Sequence, residues 1–188
     1  MHVTHLDDGV YEILAYWFGV NYWNKAAFDN KSTTQWEELW VNIWFAKNEK
    51  GKEVDKFIED NFQKYVTAAL NNELDHWYLP VSECFVPNEN STLALIIVLD
   101  QFTRNIYRNT EKAWAGDQKA LEICKCGINS QIYRKLHPIA QAMFFMPLLH
   151  SENLSDQEES VTLFRKLVTN NFPCPGQSIF LKLTFFFL

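Results

Sequence analysis

The chain has 188 residues with 17 basic and 23 acidic side chains, a net charge of −6, and 47% hydrophobic and 15% aromatic content. That length and composition suit one domain that buries a core without metals or disulfides, and they exclude a disordered chain. The acidic balance, with no Lys/Arg block, excludes a general nucleic-acid binder, which needs a basic face to displace phosphate counterions.

Asp7 or Asp8 is placed to cap a first helix whose Val10, Ile13, Leu14 and Trp17 fall at i, i+3, i+4 and i+7, with Gly19 as its stop. After a polar stretch rich in Asn and Lys, the same spacing recurs at Trp36, Leu39, Trp40, Ile43 and Trp44, and Lys47 to Lys52 around Gly51 are expected to break that second helix. Val54, Ile58, Phe62, Tyr65, Val66 and Ala69 mark a third helix, stopped by Asn71 and Asn72. Glu73, Asp75 and His76 read as its capping or terminating residues. Pro80 and Pro87, with no periodicity between them, predict a loop.

Residues 93–99 are apolar all round, which requires burial on every side. They read as a helix because no second strand candidate exists to pair with them. Residues 117–126, ended by Gly127, and 138–146, with Pro138 at the favoured first position, are two further helices. Ser155, Asp156, Gln157 and Glu158 form a capping-box pattern opening a last helix through Val161, Phe164, Leu167 and Val168. The sum is an all-α domain of about seven helices over residues 1–171. Six Trp, at 17, 23, 36, 40, 44 and 77, crowd the N-terminal half at helical spacing and read as an aromatic core rather than a binding box.

The N-terminus has neither a basic nor an apolar signal region, so a cytoplasmic protein is expected, with Cys84, Cys124, Cys126 and Cys174 kept as thiols. On a helix Cys124 and Cys126 point apart and do not chelate one metal. No zinc, Walker or dinucleotide motif occurs, and neither metal nor cofactor is expected. Apart from residues 93–99, the only strongly apolar run is the last ten residues, short of the ~20 that span a bilayer, so no membrane segment is expected.

Two polar clusters carry candidate chemistry. Asp100, Gln101, Thr103, Arg104 and Asn105 come directly after the apolar run, so some start buried and must find partners. Either Arg104 pairs with Asp100 at a helix C-terminus, or it presents its planar fork to a ligand carboxylate or phosphate while Asp100, Gln101 and Asn105 orient it. His150, Ser151 and Glu152 come after Pro147, which should kink or end its helix. His150 is a candidate acid/base near neutral pH, oriented by Glu152 or Asp100, or else a partner of the helix dipole. A triad through Ser151 is disfavoured, because that residue adjoins the histidine on the chain and no G-x-S-x-G elbow is present.

At these residues the chain resembles the domain-of-unknown-function 924 family. The resemblance runs through Ile-Leu-Ala-Tyr-Trp-Phe-Gly at 13–19, Trp-Phe at 44–45 and Glu-Leu-Asp-His-Trp at 73–77. It continues through Leu-Asp-Gln-Phe-Thr-Arg-Asn-Ile-Tyr-Arg at 99–108, Ala-Trp-Ala-Gly-Asp at 113–117, Met-Pro-Leu-Leu-His-Ser-Glu-Asn-Leu at 146–154 and Gln-Glu at 157–158. It implies a TPR-like array of antiparallel helical hairpins, in which residues 20–43 look like an insertion, and it supplies no established activity. Thr103 stands where the family usually has Pro. Residues 172–188 depart from the family, which continues into another helix and a basic segment, so the chain reads as C-terminally truncated with a Phe-rich tail of aberrant origin, such as a retained intron.

Fold does not fix function. The first functional expectation is a binding module for a peptide or small anionic ligand in a helical groove, with Asp100, Gln101, Arg104, Asn105 and His150 at the site. The alternatives are an enzyme using His150 with Asp100 or Glu152, and an inactive truncated isoform.

Overall fold

Helix α1 (Asp8–Phe18) buries the stripe that its spacing predicts: Val10, Ile13, Leu14 and Trp17 are at most 1% exposed. The computed structural model describes residues 8–79 and 87–171, and among them helices are the only regular elements. Gly19, at φ 86°, takes the chain out of α1 through a left-handed conformation that a side chain would strain.

The next, polar stretch hides a short helix, α2 (Lys25–Asp29), started by the Asn24 side chain accepting from the Ala27 N–H at 3.1 Å. Helix α3 (Thr33–Leu39) opens on a Ser32–Gln35 capping box and runs on into a widened π-turn, Trp40–Trp44. The indole N–H of Trp44 donates to the Trp17 carbonyl at 2.9 Å. The rings of Trp17, Phe18, Tyr22, Phe28, Trp36 and Trp44 meet edge-to-face or tilted at centroid distances of 5.0 to 6.5 Å. These aromatics therefore build core, and each one fully removed from water contributes about 1.5–3 kcal/mol of burial.

Helix α4 (Asn48–Leu70) begins earlier than expected. Gly51 lies inside it and does not break it, and the break falls at residues 45–47 instead. The glycine is there for space: a Cβ at Gly51 would stand 2.9 Å from the Ala46 carbonyl oxygen. Asn72, at φ 65°, ends the helix in the left-handed region that Asn tolerates. Lys119 caps that end, donating to the Ala69 carbonyl at 2.9 Å and to Asn72 Oδ1 at 2.8 Å, and pairing with Asp75. The expected loop around Pro80 lies outside the described residues.

Helix α5 (Glu89–Ile97), capped by Asn88, is the central element. Every residue from Ser91 to Ile97 is buried, and α5 packs against α1 and the two later helices α7 (Asp117–Asn129) and α8 (Pro138–Phe144). It passes without a break through a second π-turn, Val98–Phe102, into α6 (Thr103–Ile106). Gly127 lies within α7 and does not stop it, and its missing side chain makes room for the Phe144 ring, which a Cβ would meet at 2.4 Å. The expected helix over 138–146 is split at Phe145, where α9 (Met146–His150) starts, because Pro147 has no N–H to continue the ladder. The last helix, α10 (Leu154–Asn171), is capped by Asn153 and not by Ser155: Asn153 Oδ1 accepts from the Ser155 N–H at 2.9 Å. No described helix is long and apolar enough to cross a membrane. The tail at 172–188 and the candidate cap Asp7 lie outside the described residues.

His137 couples this packing to pH. Its Nδ1 accepts from the Ile139 N–H at 3.2 Å as the cap of α8, and its ring lies against Trp36 and Phe28. Burial pushes its pKa below the ordinary histidine value. The unfolded chain takes up a proton near pH ~6.5 that the folded chain refuses, so the stability tied to neutral His137 is complete above that pH and declines as pH falls below it. In urea unfolding at neutral and mildly acidic pH, wild type is expected to lose more stability on acidification than His137→Asn, which keeps a cap acceptor without a titrating ring. Equal losses would remove His137 from the acid response.

Candidate functional site

The apolar run of α5 carries the next residues of the chain into the core, and the first of them to be polar is an acid. Asp100 is 0% exposed and lies within the π-turn of a continuous helix, not at the helix C-terminus that the sequence suggested. The extra residue of a π-turn shifts the register of side chains after it, a device frequent at functional sites. Here it directs the Asp100 carboxylate at α9, where His150 Nδ1 stands 2.7 Å from Oδ1. Gln101 donates to the other oxygen. Arg104 Nη1 lies 3.6 Å from Oδ1 and also donates to the Asp100 backbone carbonyl.

Arg104 makes its main pair elsewhere. Its two terminal nitrogens donate to the two oxygens of Asp117 at 2.9 and 2.8 Å, a bidentate pair. Asp117 sits in the first turn of α7, where the helix dipole favours an acid. Burial raises its carboxyl above the ordinary value, and the Arg104 fork pulls in the opposite direction without cancelling the rise. Just before it, Gly116 lets α7 approach the π-turn, because a Cβ there would fall 2.2 Å from the Leu99 carbonyl oxygen. That same oxygen accepts from the Thr103 hydroxyl at 2.8 Å, so Thr103 satisfies a carbonyl of the widened turn.

These groups border an open pocket of about 850 Å³, in the size range of small-molecule sites. His150 lines it. Arg104, Asp117 and Pro147 line it, Ser151, Glu152 and Asn153 contribute from the turn before α10, and Trp114 stands on its wall 59% exposed. With Asp100 accepting from Nδ1–H, the neutral His150 ring carries its lone pair on Nε2. Among the described residues Nε2 has no hydrogen-bond partner.

The structure thus brings Asp100, Arg104 and His150 together and separates the other sequence candidates from them. Glu152 lines the pocket without bonding His150, so the orienting carboxylate is Asp100. Gln101 supports Asp100 from behind. Asn105 turns away, donating to Asp55 at 2.8 Å beside Arg108, which also holds Asp55. Ser151 donates to Asp156, itself paired with Lys125 at 2.6 Å, and does not face His150. Cys124 is buried with its pKa raised by desolvation, hence an unreactive thiol, whereas Cys126 is exposed on the other face. Asp117 and Trp114 were not site candidates in the sequence, although both fall in the Ala-Trp-Ala-Gly-Asp segment that carries the family resemblance. Their available signals were an acid opening a helix after Gly and a Trp remote from the N-terminal cluster. Among the described residues no group of three His, Cys, Asp or Glu is placed to hold a metal, and the Arg104 guanidinium occupies the space between Asp100 and Asp117.

The model of a family described as bacterial protein of unknown function (DUF924) matches residues 13–178. A solved structure of a protein of unknown function from Agrobacterium tumefaciens is similar with a TM-score of 0.58 at 27% identity, over 79% of this chain and 70% of that one. No curated protein matches the sequence significantly.

Gly116→Ala tests the architecture of the site. The new methyl meets backbone, which has no rotamer to yield, so the π-turn or α7 must move. A stability loss of about 1–3 kcal/mol in chemical denaturation is expected, together with a changed His150 ring signal in NMR as Asp100 shifts. An unchanged His150 signal would uncouple Gly116 from the site.

Proposed function

The chain belongs to the DUF924 family, and from the pocket that it carries we propose that it is an enzyme whose His150 exchanges a proton with a small-molecule substrate. The observation that carries this reading is the 2.7 Å contact between His150 Nδ1 and the fully buried Asp100, on a ring that borders an open pocket. In this role Nε2 accepts a proton from a substrate hydroxyl, amine or water, and Asp100 stabilises the imidazolium that results. Asp100 also fixes the tautomer, and Gln101 and Arg104 hold Asp100 in turn.

A binding module for a peptide or small anion, the other reading of the sequence, has less support. Its anionic form needs a free cation on the wall, and the Arg104 fork is already spent on Asp117 and the Asp100 carbonyl.

The test is turnover. Purified protein is incubated with a metabolite extract and the extract is compared by mass spectrometry with one treated with His150→Ala. The expected result is a compound consumed by wild type, with the rate lowered about 10²–10⁴-fold in His150→Ala and sharply reduced in Asp100→Asn. Asparagine can offer its amide to Nδ1 and so select the wrong tautomer. An extract left unchanged by wild type, or changed equally by His150→Ala, would refute the enzymatic reading.

A further inference from the structure

We propose that the ligand of this pocket is a cation, an organic ammonium held between the Trp114 ring and the Glu152 carboxylate, beside His150. This rests on the pocket being a small-molecule site, and it adds the charge class of what enters.

The charges around the pocket are unbalanced towards the negative. Among the described residues that border it, the ionisable groups are Arg104, Asp117, Glu152 and His150, with no lysine. Arg104 and Asp117 neutralise each other through two parallel hydrogen bonds. Glu152 is exposed and has no ion pair among the described residues. Beneath the wall, Asp100 adds a second negative charge next to a histidine whose neutral tautomer it selects.

Of three lysines on the flanking segments, two are held in ion pairs and none lines the pocket. Lys119 is bound to the end of α4 and to Asp75, Lys125 is bound to Asp156, and Lys112 lies 5.9 Å from the Tyr107 ring centroid. An entering anion would meet the unpaired Glu152 carboxylate and no uncommitted cation on the lining, whereas an entering ammonium would find in Glu152 a carboxylate without a counter-ion, Asp117 being already paired with Arg104. Low-dielectric walls around such a cleft focus the field on the ligand.

Trp114 points to the same ligand class independently. An indole that is 59% exposed contributes little to the core, yet it stands on the pocket wall next to the acidic groups. Trp presents the best face for a cation–π contact, and aromatic faces recognise substituted ammonium groups. Both features together separate this wall from an incidental acidic patch.

The experiment titrates the full chain with n-butylammonium chloride, n-butanol and sodium n-butyrate, probes of equal length and different charge. The Trp114 indole N–H and the His150 ring are read by NMR. Saturable shifts of both signals with butylammonium, and weaker or no shifts with butanol and butyrate, are expected. Glu152→Gln and Trp114→Ala, read at His150, should each weaken butylammonium binding by about two- to fivefold. Both changes are at the surface, so thermal unfolding should stay near that of wild type.

Butyrate binding as tightly as butylammonium, no saturable binding of butylammonium, or affinities unmoved by both variants would each overturn the proposal. These outcomes are separate from turnover. A pocket that binds butylammonium in a protein without turnover keeps the cation inference and loses the enzymatic reading, and turnover of an anionic compound does the reverse.

Discussion

The Asp100 carboxylate, with no exposure to water, is the constraint around which the C-terminal half of the structure is arranged. A buried ion is tolerable only when it is paired and hydrogen-bonded, and removing a partner from such an arrangement typically costs about 3–5 kcal/mol. Gln101 and His150 hydrogen-bond it from the π-turn and α9, and the Arg104 guanidinium of α6 stands 3.6 Å away as its counter-charge. Arg104 then recruits Asp117 from α7. One acid therefore fixes three chain segments at a common point, and the pocket is the space they leave on the solvent side.

The other side of that point is held by packing. Phe102, in the same π-turn as Asp100, lies 5.6 Å from Trp17, 5.0 Å from Phe62 and 6.3 Å from Tyr16 by ring centroids. The N-terminal aromatics thus do more than fill volume. They anchor the π-turn from behind, so that its polar face is presented to α9 in one orientation. An acid–base histidine needs such rigidity, because a hydrogen bond to Nδ1 sets both the tautomer and the direction of the free lone pair.

The charge arrangement also redefines Arg104. At first sight an arginine after a buried acid reads as a clamp for an anionic ligand. In the folded chain it is an internal counter-ion, shared between two carboxylates and a backbone carbonyl. The groups still available in the pocket are a histidine lone pair, a carboxylate from the turn before α10 and an indole face, and these determine its chemistry.

Local periodicity determined much of the molecule. The stripes of α1 and α4, the all-round apolar run of α5, the proline break before His150 and the opposed faces of Cys124 and Cys126 were legible because they depend on neighbours within about one helical turn. The all-helical class results from them, and the residues that the family resemblance picks out include Asp100, Arg104 and His150. Element boundaries were less legible. Gly51 and Gly127 look like stops in a sequence, and only the approach of the Ala46 carbonyl and the Phe144 ring explains why glycine stands inside a helix there.

The site itself was decided by tertiary structure. His150 meets an acid 50 positions away and leaves its neighbour Glu152 unpaired, and Arg104 takes Asp117, 13 positions on, in preference to Asp100 at helical spacing. Such choices depend on how α6, α7 and α9 cross, and on one extra residue in a π-turn that re-aims a single side chain. No pattern of residue types along the chain encodes those crossings, because each is the joint result of every packed surface around it.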